Sequence, residues 1–156
     1  MKQRWLVLGL IPLLAAAATV MPGVANPQRA HLNWMMHCQG CHRADASGSA
    51  GGAPNMAGEV ARFLSVAGGR DYLMRVPGVA HAGLSDQELA ELLNWTLHAF
   101  DATHVPNDFV PFSAREVGAA RKQPLITEAA ETRAQLMARF STQTPRAAAP
   151  ESEDGH

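Results

Sequence analysis

Cys38 and Cys41 are the only two cysteines in this chain of 156 residues, and they stand in the run Cys38-Gln39-Gly40-Cys41-His42. Two thiols three positions apart, followed at once by an imidazole, constrain the fold more than anything else in the sequence. They are spaced to form thioethers to the two vinyl groups of a haem and to set a ring nitrogen under its iron. Three other readings compete. A thioredoxin-like dithiol needs a strand–helix–strand setting, and no alternating pattern surrounds the motif. A zinc site needs four ligands, and no second cysteine pair is present to complete them. A disulfide here would close too short a loop to stabilise much. The motif therefore points to one covalent haem c, anchored by Cys38 and Cys41, with His42 as proximal iron ligand.

The N-terminus agrees with that chemistry. Lys2 and Arg4 precede an apolar run from Trp5 to Met21, interrupted at Gly9, Pro12 and Thr19, and Gly23-Val24-Ala25 supplies small residues for cleavage. This is the pattern of a signal peptide over residues 1–25. Retained as an anchor, the same run would tie the protein to a membrane. Export suits the motif, because haem is normally joined to C-x-x-C-H outside the bacterial cytoplasm, and a periplasmic location follows as the expectation. Without residues 1–25 the chain keeps 11 basic and 14 acidic side chains, a net charge of −3. No basic stripe remains, which argues against nucleic acid as a partner.

Periodicity predicts helices only. Asn26 to Met36 forms a short helix with Ala30 and Trp34 on one face, and Arg43 to Gly58 is a Gly- and Pro-rich loop. Helical segments follow at Glu59–Val66 and Arg70–Arg75. The strongest helix starts at Ser85, where Glu88 completes a capping box. Leu89, Leu92, Leu93, Thr96, Leu97 and Phe100 recur down its side. His98 and His104 stand near its end, where cationic imidazoles would suit the helix dipole. Beyond His104 the chain carries a strap over Val105–Phe112, a short helix from Ser113, and a helix over Thr127–Phe140 with Ile126, Ala130, Ala134, Met137 and Phe140 as its apolar side. The organisation expected is a leader (1–25), a haem domain (26–104), a helical C-terminal extension (105–140) and a disordered tail (141–156).

Three further features have fixed offsets from the motif. Trp34 stands four residues before Cys38 and Ala30 one turn earlier. Leu92-Leu93-Asn94-Trp95 places a tryptophan on the strongest helix. Pro54 stands twelve residues after His42, within Ala53-Pro54-Asn55-Met56-Ala57-Gly58. With these, residues 28–104 resemble the class I cytochromes c. The resemblance implies an all-α fold wrapped around one haem, with Ala30 and Trp95 where the first and last helices cross. It implies that the Pro54 carbonyl accepts a hydrogen bond from the proximal imidazole, and that Met56 packs on the haem and does not ligate it.

The family's distal methionine aligns with Val79, which cannot ligate iron. His81, in the same loop, is the first substitute and Met74 the second; an open iron is the third possibility. Arg70 and Arg75 are candidates for the haem propionates, set against a plain solvated face. The resemblance implies a one-electron carrier that is not itself an enzyme. Its partners are expected to be redox proteins, namely a donor (a periplasmic dehydrogenase) and an acceptor. The alternative is a haem enzyme or small-ligand sensor with an open or weakly held distal position.

Overall fold

Asn26 opens the first helix by accepting the N–H of Arg29 on its side-chain oxygen at 2.9 Å, and Pro27 follows with φ already suited to a helix. The computed structural model describes residues 20–140, and among these there is no strand. The helices are α1 (Pro27–His37), α2 (Gln39–His42), α3 (Gly69–Arg75), α4 (Pro77–Ala80), α5 (Asp86–Asp101), α6 (Ala114–Ala120) and α7 (Ala129–Met137). A 3-10 segment over Val60–Ser65 precedes α3. No described helix is long and apolar enough to cross a membrane. Residues 1–19 of the expected leader and the expected tail, 141–156, lie outside the described residues.

Helix α5 is the axis on which the rest packs. The Ser85–Glu88 capping box starts it, as its sequence predicts. The apolar stripe Leu89, Leu92 and Leu97 is buried, but so are Ala90 and Trp95 on other faces, because α1, α6 and the 3-10 segment each cover a side. Four polar residues are buried on it as well: Glu91, Asn94, Thr96 and Asp101. A buried polar group is costly unless it is bonded, and here each one is. Glu91 accepts the Asn26 N–H at 2.8 Å and pairs with Arg29 at 2.7 Å. Asn94 donates to the carbonyls of Gly23 and Phe112 and accepts the N–H of Phe112 at 2.8 Å. Thr96 donates to the Leu92 carbonyl one turn back. Asp101 accepts the Ala61 N–H at 2.8 Å and bonds His104 Nδ1 at 2.6 Å.

The segment read as an extension closes the same core. Phe112, Val117, Leu136 and Phe140 are all buried in it. Arg70, considered for a propionate or a solvated face, points the other way. It bonds both carboxylate oxygens of Glu116 at 2.6 and 2.8 Å, donates to the Val110 carbonyl, and lies 4.2 Å from the centre of the Phe112 ring. Arg75 likewise serves the extension, donating to the Gln123 carbonyl at 2.6 Å and pairing with Asp71. Residues 20–25 also contribute: Met21 and Val24 pack against the core, and Gly23 is held by Asn94. Cleavage after Ala25 would remove those contacts.

Two expectations about the surface are corrected. A turn over residues 126–128 delays the last helix to Ala129; Leu136 and Phe140 are buried and Met137 packs on the core, while Ile126 is 58% exposed and Ala130 and Ala134 face solvent. His98 does not act as a helix-end cation. It is half-buried, edge-on to Phe109, and burial lowers its pKa from the ordinary histidine value.

The Arg70 pair makes the docking of α6 sensitive to acid. Its hydrogen bonds hold the Glu116 carboxyl below its ordinary value of 4.5, against an opposing effect of partial burial. A carboxyl with a depressed folded-state pKa contributes stability that is complete above the unfolded value and is lost as pH falls through the folded one. Glu116→Gln should therefore lower the thermal midpoint at pH 7 and flatten its fall below about pH 4.5. Parallel melting curves for the two proteins from neutral to acid pH would refute this. Asp45, Glu88 and Glu128, also depressed, titrate alike in both proteins and cancel in the comparison.

Candidate functional site

The attachment motif sits on a corner. Cys38 ends α1, where its N–H bonds the Trp34 carbonyl at 2.9 Å, and its own carbonyl starts α2 by accepting from Cys41 and from His42 at 3.0 Å. The short helix α2 thus sets Cys41 and His42 one turn on from Cys38. Cys41 is exposed and Cys38 partly buried, and no disulfide joins them. Burial, aided by the neighbouring Cys41, pushes the Cys38 thiol up to about 11. Among the described residues no cluster of three or more His, Cys, Asp and Glu is arranged to hold a metal ion.

Directly after His42 the backbone turns sharply. Arg43 has φ 65° and ψ 169°, a conformation that L-residues rarely adopt and that costs on the order of 1–3 kcal/mol. That turn sends the chain into the Gly-rich loop, which returns Pro54 to the imidazole. His42 Nδ1 donates to the Pro54 carbonyl at 3.1 Å. A carbonyl oxygen only accepts, so Nδ1 carries the proton and the lone pair lies on Nε2. Partial burial lowers the pKa of His42, while the bond to Pro54 works in the opposite direction. Gly48 makes the return possible. It has φ +69°, and a Cβ there would overlap the Ala53 oxygen and stand 2.7 Å from the Pro54 oxygen. Any side chain at residue 48 would push the Pro54 carbonyl away from the ring.

Aromatic packing fixes the other side of His42. The Trp34 ring lies 6.1 Å from the imidazole, 4.6 Å from Phe100 and 6.2 Å from Trp95. Ala30 is fully buried where α1 crosses α5, in the place expected for a small residue. Met56 is partly buried against the core, and its N–H bonds the Ala46 carbonyl at 2.9 Å. Cys38, Ala57, Val79 and Ala82 also pack on the core with one side still open. The residues present fit a haem: two thiols, one imidazole with a free nitrogen, and apolar surface left uncovered beside them.

The two candidates for the far side of the iron differ in setting. Met74 is 4% exposed and lines a groove of about 520 Å³ between α3 and α6, beside Arg70, Arg75, Ala120 and Gln123. That is a packing position. His81 is exposed at the end of α4, and its Nδ1 bonds the Pro77 carbonyl at 3.0 Å. By the same argument as for His42, its lone pair lies on Nε2.

The chain is similar to a cytochrome c-552 of Thermus thermophilus, with 31% identity over 130 residues covering 72% of this chain and 88% of that protein. It belongs to the class I cytochromes c. A second cytochrome c-552 from Thermus thermophilus is 33% identical over 109 residues, covering 58% of this cytochrome and 83% of its relative. No family model and no solved structure matches the chain. Membership brings electron transfer by a c-type cytochrome with covalent haem c, and redox proteins as its general class of partner.

Several residues that hold these segments together carry little sequence signal. Gly48 is one glycine among several in a flexible-looking run. Asp101, whose carboxylate bonds Ala61 beyond the haem loop, reads as a polar helix end. Arg121 stands far along the chain in a polar stretch, and its ties to the turn before α5 need the fold to become visible.

Proposed function

We propose that this protein is an exported, periplasmic one-electron carrier whose single haem is tethered by Cys38 and Cys41 and held between His42 and His81. When bound, the haem supplies a one-electron iron couple. The protein's residues hold that couple in a fixed setting. Pro54 orients the His42 ring and fixes its tautomer, and hydrogen bonding of this kind raises ligand basicity. The observation that carries the assignment of His81 is that it repeats the same device: each imidazole gives its Nδ1 proton to a proline carbonyl, at 3.1 Å for His42 and 3.0 Å for His81. Histidines that ligate metals almost always donate their second nitrogen in this way.

An open-iron enzyme or sensor would need a polar group poised over the distal face. Arg70 and Arg75, the cations considered for the haem edge, are engaged with Glu116, Asp71 and backbone carbonyls, which favours the carrier. Its donor is proposed to be a periplasmic dehydrogenase. Protein purified from the periplasmic fraction should retain one haem per chain through acid–acetone extraction. It should cycle between ferric and ferrous forms, low-spin in both. Loss of the haem to the solvent, or a high-spin ferric spectrum at neutral pH, would count against the reading.

A further inference from the structure

Arg121 is the first residue beyond α6, and its side chain is only 17% exposed. It reaches across to the turn that joins α4 to α5. Its Nε donates to the Ala80 carbonyl at 3.0 Å, Nη1 to the Leu84 carbonyl at 2.9 Å, and Nη2 to the Ala82 carbonyl. Nη1 also lies 3.1 Å from the Asp86 carboxylate in the first turn of α5. Three carbonyls from residues 80–84 thus converge on one planar cation. Gly118, one turn earlier, lies beneath Asp86: a Cβ there would meet one of its carboxylate oxygens, and that side chain would have to move aside.

The turn held in this way contains His81, and it directly follows Val79, where the family's distal ligand would stand. Apart from the cation, the backbone bonds of the turn are local: His81 N–H to Pro77 and Ala82 N–H to Val79. These shape the turn, and Val79, Ala82 and Leu84 rest on the core. The guanidinium supplies the polar tie, because it joins the turn to α6 and to the start of α5.

We propose that Arg121 is a positioning residue for the distal face of the haem. It holds the 79–84 turn closed, keeps His81 over the iron, and slows the entry of external ligands. The inference rests on the reading that this turn covers the distal face. Lysine keeps the charge but cannot reproduce the planar set of donors, so it restores the function only in part.

The test is the rate at which cyanide binds the ferric, full-length holoprotein. Arg121→Ala should raise that rate by about ten-fold or more, and Arg121→Lys should fall between the alanine variant and wild type. Arg29→Ala is the control. It breaks the Arg29–Glu91 pair between α1 and α5, lowers the thermal midpoint, and should leave the cyanide rate unchanged. An Arg121→Ala rate within about two-fold of wild type, or an equal rise in Arg29→Ala, overturns the proposal. Should Arg121→Ala not accumulate as holoprotein, Arg121→Lys decides, and a wild-type rate in it is the overturning result. His81→Ala separates the two layers. If it stays low-spin while Arg121→Ala binds cyanide fast, the ligand assignment falls and the positioning role stands. If it turns high-spin while Arg121→Ala stays slow, the assignment stands and the positioning role is overturned.

Discussion

Replacing His81 with alanine is expected to turn the ferric protein from low-spin to high-spin at neutral pH. The supply of ligands decides this. Val79 has no donor atom, Met74 is packed in the groove beneath α6, and His81 offers an Nε2 lone pair with its other nitrogen already bonded to Pro77. Removing the imidazole leaves the iron with His42 alone, and added free imidazole should restore the low-spin spectrum. Met74→Leu keeps volume and burial, so it should leave the spectrum unaltered. The opposite pattern, an unchanged His81→Ala and a shifted Met74→Leu, would transfer the assignment to sulfur and imply a higher potential. The ferric spectrum of each purified variant settles the matter.

The second large effect belongs to Trp34. Its side chain is 1% exposed and joins His42, Trp95 and Phe100 in one aromatic cluster at the crossing of α1 and α5. Deleting a buried indole removes both its transfer energy and its packing partners, a loss of about 3–5 kcal/mol for such substitutions. Total stability is about 5–15 kcal/mol for domains in general, so Trp34→Ala should lower the thermal midpoint by about 10 °C or more. It should also loosen the wall behind the proximal ligand. Trp34→Phe is expected to be much milder. It keeps a ring in the cluster beside Trp95 and Phe100. Calorimetry on both variants is the check, and equal losses would show that the ring stacking contributes little.

What could be read in advance was local or tied to a fixed offset. Ser85 and Glu88 announce the start of α5 because a capping box is a four-residue device. Pro54 could be matched to His42 because the segment Ala53–Gly58 resembles the one that the class I cytochromes c carry at this offset from the motif. Ala30, Trp34 and Trp95 could be placed at one helix crossing because the resemblance to the class I cytochromes c implies it. The features that escaped are joints between segments far apart in sequence. Arg70 looks like a surface cation until Glu116, 46 residues away, is seen to receive it. Glu91 and Asn94 interrupt an apolar pattern and read as a solvated face, yet they are bonded on the inside of the fold. His98 reads as a helix-end cation until the strap brings Phe109 over it. Local periodicity cannot anticipate such pairings, because the same polar residue suits water or a buried partner equally well.

Asn94 has one more effect, on cooperativity. Its single amide serves both the Gly23 carbonyl, 71 residues upstream, and the backbone of Phe112, 18 residues downstream. If either segment peels away, a buried amide is left half-satisfied in the middle of α5, a state that disfavours partial opening. While residues 20–25 remain on the chain, that segment and the strap that follows α5 are therefore coupled. They come loose together, along with α5, and not one at a time.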